Sequence, residues 1–159
     1  MQILKFFKIF IISCAIVVNS YAGINLLTDG KYCSHFRINC SESLPFYLFS
    51  ASSLDKLERE VYVSLVHPLS NKPLFKQIVG LPGDLVTVEN QHVFVNGKNY
   101  GYIHQISPSG SVLSAISINE IPEGFVFLHA SHPKSFDSRY GEFGLVAVEQ
   151  LREKLCPIF

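Results

Sequence analysis

The stretch VYVSLVH (residues 61–67), a Pro-bounded break at 68–73, and LFKQIVGLPGDLV (residues 74–86) decide the fold. The first segment alternates and is β-branched, which is how a half-buried strand reads. The second is a short apolar run, LFKQIV, ended by the turn Gly80-Leu81-Pro82-Gly83-Asp84. Downstream, residues 85–89 and 92–95 flank Asn90-Gln91, and Asn96-Gly97 is a strong two-residue hairpin signal. Residues 101–106 and 125–129 are further strand candidates, and FYLFSA (46–51) is another on the upstream side. Residues 53–60 (SLDKLERE) read as a helical turn or a loop, and residues 146–154 as a short helix or strand end. No strong periodicity runs through the polar residues 28–40. Many short strands split by Gly/Pro turns predict a mainly β domain.

The chain has 159 residues, enough for one globular domain. Its 48% hydrophobic content is partly explained by the N-terminus. Lys5 and Lys8 precede an apolar run over residues 9–18, and Ser20-Tyr21-Ala22 follows. A basic start, an apolar run of about ten residues and a small-x-small site read as a cleavable signal. The lysine pair keeps the N-terminus cytoplasmic, so the rest is expected outside the cytoplasm. Residues 1–27 are therefore read as a membrane anchor or signal segment and residues 28–159 as the functional domain. Lys+Arg and Asp+Glu balance at 13 each, which gives no electrostatic footprint for nucleic acid. Cys14 falls in the apolar segment. Cys33, Cys40 and Cys156 would reach a disulfide-permissive compartment, where three thiols allow one bridge of open pairing.

Three polar residues stand out for chemistry. Ser43 precedes Leu44-Pro45, and proline stiffens that segment. Ser41 sits two residues earlier, on the same side of an extended chain. Lys76 lies inside the apolar run. Burial disfavours an ammonium, and a neutral lysine is a competent general base for a serine nucleophile. Asp137, in SFDSRYGEFG, has the charge to orient such a lysine. Each also has an ordinary reading: a polar loop for Ser43, a snorkelling side chain for Lys76, an ion pair with Arg139 or Lys134 for Asp137. His129 and His132 are three apart, but their neighbourhood reads as strand then loop, so no metal site is expected.

Three blocks in this order resemble the signal peptidase I family, with a particular likeness to TraF-type peptidases of conjugative transfer systems. They are RINCSESLPFYLF (37–49), LFKQIVGLPGDLV (74–86) and IPEGFVFLHASHPKSFDSRYGEFG (121–144). The resemblance implies a mainly β domain with a Ser/Lys dyad behind an N-terminal hydrophobic helix. It implies Ser43 as nucleophile, Lys76 as base and Asp137 as a third catalytic residue. Ser41 and the Ser43 N–H would form the oxyanion hole, while Pro45, Gly83, Asp84 and Arg139 support the site. No cofactor or metal is implied. It further implies an endopeptidase of exported precursors, with a conjugative pilin subunit as a narrower candidate. The anchor would be uncleaved in the inner membrane and the catalytic domain periplasmic, near components of a secretion system. The alternative is an inactive binding or assembly protein on the same scaffold. The chain departs from the family pattern at Tyr47, where a glycine is usual. Gln77 replaces the usual arginine, and the segment HASH (129–132) replaces Gly-Asp-Asn.

Overall fold

The computed structural model describes residues 35–66 and 73–159. The expected anchor and Cys33 lie outside the described residues. The described residues form ten strands: β1 (His35–Ile38), β2 (Leu48–Ser52), β3 (Tyr62–Val66), β4 (Pro73–Gly80), β5 (Val86–Glu89), β6 (His92–Val95), β7 (Lys98–Tyr102), β8 (Phe125–His129), β9 (Val146–Ala147) and β10 (Leu151–Pro157). Seven form one sheet in the order β1-β2-β10-β3-β4-β8-β9, and β5-β6-β7 form a second. Among the described residues no helix is long and apolar enough to cross a membrane.

β4 lies inside the large sheet, paired antiparallel with β3 on one side and β8 on the other. This explains why its sequence reads as a nearly continuous apolar run rather than an alternation. Three apolar clusters surround the sheets. One joins Val79 and Phe127 to the small sheet through Val86, Val93 and Val95. A second gathers Val63, Leu65, Ile78, Val126 and Leu128. The third brings Leu44, next to Ser43, against Phe49, Phe75, Ala130 and Leu155.

The small sheet follows its turn chemistry. Asn90 and Gln91 have φ of 50° and 62°, and Asn96 and Gly97 have 48° and 76°. Two successive positive φ values suit the turn that closes a two-residue hairpin. The Asn96-Gly97 turn sets Val95 opposite Lys98. The third strand of the meander therefore starts at Lys98 and ends at Tyr102, which corrects the expectation of a strand over 101–106. Of residues 103–106, Ile106 alone enters a ladder, as an isolated bridge to Val112.

Two other elements differ from the sequence reading. The polar stretch 28–40 carries β1, which pairs with β2 as an edge strand. Residues 146–154 divide into β9, a 3-10 turn over Val148–Gln150 and the start of β10. β10 sits between β2 and β3, so this segment is central to the sheet. Residues 53–60 form a loop, which resolves the choice left open there. Cys40 and Cys156 are not bridged to each other.

Gly80 shows how tightly β4 is seated. It occupies an irregularity in the β4–β8 ladder. A Cβ there would lie 2.5 Å from Ile121 Cδ1 and 2.8 Å from Phe127 Cβ. Gly80→Ala is expected to lower stability by about 2 kcal/mol, the scale of overpacking in a dense core. Urea unfolding should show a lower midpoint with an unchanged slope.

Candidate active site

Residues 39–47 form the loop that carries Ser43, and Asn39 organises it. Its backbone N–H donates to the Tyr47 carbonyl at 2.8 Å. Its Nδ2 donates to the Phe46 carbonyl at 2.9 Å, and its Oδ1 accepts from the Ser41 N–H at 3.1 Å and from Ser41 Oγ at 2.7 Å. A short amide reaching neighbouring backbone groups is what asparagine does in such turns. Leu44 anchors the loop in the apolar cluster below it, and Pro45 fixes its own φ in the bend that follows. Ser43 is half-buried. Its carbonyl accepts from the His132 N–H at 3.2 Å and from Ser131 Oγ at 3.4 Å.

Lys76 projects from β4 with only 2% of its surface exposed. Burial pushes its proton affinity down, to a pKa of about 8 from 10.5. The negative charge of Asp137 opposes that shift, and the Arg139 guanidinium adds to it. Among the described residues no hydrogen bond or ion pair joins Lys76 Nζ to a partner, and none joins Ser43 Oγ to Lys76 Nζ. The register pairs Gln77 with His129. Continued by one residue, it sets Lys76 opposite Ala130. Residues 130–132 are thus the common neighbour: Ser43 rests on one part of them and the Lys76 strand on another.

Asp137 fastens the same segment from inside and is fully buried. Its Oδ1 accepts from the Arg139 N–H at 3.1 Å and Nε at 2.8 Å. Its Oδ2 accepts from the Ala130 N–H at 3.0 Å and Arg139 Nη2 at 3.0 Å. A carboxylate has about four acceptor directions, and all four are filled. Burial alone would raise the Asp137 carboxyl's pKa. Interaction with His129 and Arg139 outweighs burial and holds the carboxyl below its ordinary range. His129 Nδ1 lies 3.2 Å from Oδ2 but is buried without an aligned hydrogen bond. The oxygen it faces is already occupied. Of the two partners considered for Asp137, Arg139 is the one found. Arg139 also donates to the Ser135 carbonyl at 3.0 Å. Gly101 leaves room for it: a Cβ there would sit 2.9 Å from Arg139 Nη1.

The turn after β4 has its own latch. Asp84 is buried and forms an ion pair with Arg59, with Nη2 to Oδ1 at 2.6 Å. It also accepts from the Leu81 N–H at 2.7 Å and Asn96 Nδ2 at 2.8 Å. The hydrogen bonds from Arg59, above all, bring its pKa down to about 2. Gly83 makes the turn at φ 84°. Ser41 is exposed, and its one hydroxyl proton is donated to Asn39. Giving that proton to a substrate oxygen requires exchanging this bond. Sequence reading gave no role to Asn39, Arg59 or His129. Asn39 could have been found, since it stands two residues before Ser41 in the turn-forming run NCSES. Arg59 could not, since 25 residues separate it from Asp84.

The family model "Signal peptidase, peptidase S26" matches residues 4–157, and the chain belongs to this family. The chain is similar to the conjugal transfer protein TraF of Agrobacterium tumefaciens (strain 15955). They are 34% identical over 89 residues, which is 55% of this chain and 49% of that protein. The same protein of Agrobacterium fabrum (strain C58 / ATCC 33970) is 29% identical over 89 residues. The chain thus spans about half the length of these curated relatives. A signal peptidase I crystal structure from Enterococcus faecalis V583 aligns at 24% identity and TM-score 0.47, covering 65% of this chain and 100% of that one.

Two outcomes follow for stability. Between about pH 8 and 10.5 the unfolded chain holds a proton on Lys76 that the folded chain has released. Stability therefore rises with pH across that window, and below it the full cost of burying the charge applies. Lys76→Met is expected to stabilise the domain at pH 7 by about 3 kcal/mol and to abolish the rise, as read by denaturant unfolding at several pH values. Asp137→Ala strands the buried Arg139 charge and should cost about 3–5 kcal/mol in the same assay.

Proposed function

We propose that the chain is a membrane-associated serine endopeptidase of exported precursors, with Ser43 as nucleophile and Lys76 as general base. The observation that carries this is a buried amine of lowered proton affinity beside the segment on which Ser43 rests. Neutral Lys76 takes the Ser43 Oγ proton as Oγ attacks the carbonyl carbon of the precursor. The Ser43 N–H and the Ser41 hydroxyl steady the oxyanion. The leaving amine takes the proton from Lys76; water then gives a proton to the again neutral Lys76 as it attacks the acyl carbon, and Lys76 returns that proton to Ser43 Oγ as the acyl group leaves. Asp137 acts by holding Ala130 and Arg139, and so the floor of the site. The hydroxyl–amine contact forms when substrate fills the cleft; catalytic hydrogen bonds often tighten only in the complex.

The location follows from the same reading. Residues 1–27 anchor the protein in the inner membrane, and the β domain works on the periplasmic side. The TraF name of its relatives supports a conjugative pilin as substrate, with other secretion-system proteins as neighbours. If the pilin's own amine resolves the acyl-enzyme, the product is cyclic and one water lighter than the linear chain. Mass spectrometry of the mature pilin distinguishes the two.

A non-catalytic reading draws on two observations: the missing Ser43–Lys76 hydrogen bond and the Ser41 hydroxyl held by Asn39. One experiment separates the readings. Wild-type and Ser43→Ala proteins are expressed with the neighbouring secretion-system genes, and precursor is followed. Ser43→Ala should stay folded and lose processing by a factor on the order of 10⁴ or more. The wild-type rate should climb about tenfold per pH unit below pH 8 and level off above it, as the base loses its proton. Full processing by folded Ser43→Ala protein would falsify the proposal.

A further inference from the structure

A cavity of about 740 Å³ lies against the 131–136 segment on which Ser43 rests. Its walls are residues 104–113 and 134–142. Ile106 and Val112, bridged to each other, are 65% and 80% exposed at its mouth. Phe136 stands between the mouth and the buried Tyr140, with its ring 5.7 Å from that of Tyr140. Exposed apolar groups grouped around a concavity mark a binding site rather than a packing remnant.

The two charges at the cavity differ in their partners. Glu142 accepts the Ser114 N–H on both oxygens, at 2.9 and 3.1 Å, and Ser114 Oγ at 2.8 Å. Lys134 is exposed, and its ammonium has no ion pair among the described residues. The cavity thus offers an apolar floor and an unpaired cation, which complement an apolar side chain with a carboxylate beside it.

We propose that this cavity is a substrate subsite that takes a large apolar residue of the precursor followed by an acidic one. The inference rests on the peptidase reading above, because continuity with Ser43 is what identifies the occupant. Ser131 and His132 hold the Ser43 carbonyl, and Lys134 and Phe136 of the same short segment line the cavity. One short segment thus joins the Ser43 loop to the cavity wall, and an extended peptide over Ser43 that follows this segment runs toward the cavity.

The test uses the full chain in detergent micelles, carrying Ser43→Ala so that no probe is cut. The probes are N-acetylated, C-amidated peptides of serine with a central Leu-Asp, Leu-Lys or Ala-Asp pair. Amide chemical shifts are followed by NMR. The Leu-Asp peptide should bind about tenfold tighter than either other peptide (roughly 1.4 kcal/mol), with shifts at Val112, Lys134 and Phe136. Lys134→Glu, at an exposed rim, should reverse the preference to Leu-Lys. Equal binding of the three peptides, or a preference unchanged by Lys134→Glu, overturns the subsite. So does occupation of the cavity by decanoate with no peptide binding, which identifies a lipid pocket. Binding is read without catalysis. Unimpaired processing by Ser43→Ala therefore sinks the peptidase reading and with it the subsite, whereas absent peptide preference sinks the subsite and leaves the peptidase reading standing.

Discussion

A lysine amine held inside a β domain without a partner carboxylate is the constraint on which the site depends. Lys76 is cut off from water by the sheet and the apolar groups around it. The acid near enough to share its charge, Asp137, has both oxygens filled by Arg139 and the Ala130 N–H. Desolvation therefore outweighs attraction, and the amine releases its proton near the pH at which cells work. Had Asp137 paired directly with Lys76, the opposite shift would follow and the amine would stay charged. Burial is the main cause of the Lys76 shift, and the Arg139 guanidinium adds a smaller push in the same direction.

The surrounding architecture keeps that arrangement rigid. β4 is fixed laterally by β3 and β8 and terminally by the Arg59–Asp84 latch. The Ser43 loop is pinned by Asn39 from within and Leu44 from below. Residues 130–139 connect the parts. They carry the N–H that Asp137 holds, the groups that receive the Ser43 carbonyl, and the arginine that neutralises the carboxylate. Side chains drawn from distant stretches of chain thereby share one supporting shell, whose buried polar groups among the described residues are nearly all satisfied. His129 is the exception, a buried nitrogen facing an oxygen with no acceptor site left.

Much of this was legible in the sequence where the signal is local. The Asn96-Gly97 turn, the apolar run around Lys76 and the strand 125–129 depend on short-range chemistry, and they formed as read. The strand expected at 101–106 failed because hairpin register, fixed three residues earlier, outranks β propensity. β1 was missed because an edge strand of four residues carries little periodicity. β10 was read only as a helix or strand end because its Arg-Glu-Lys content hides a strand placed at the centre of the sheet. Within the site, Lys76 and Asp137 were legible as polar residues in apolar or motif-like surroundings. The saturation of Asp137 was not, because it depends on the Ala130 N–H arriving from another element.

The chain belongs to the signal peptidase family, and the local geometry bears on how the proposed chemistry would run. The Ser41 hydroxyl is held by Asn39, and the Ser43 and Lys76 side chains are not yet bonded. On the proposed reading, substrate binding completes the constellation. The direct measurement of the central claim is the titration of Lys76 itself, by NMR of its ε-carbon in folded protein. The account predicts a midpoint near 8. A midpoint near 10.5, the value of a solvated lysine, would contradict it.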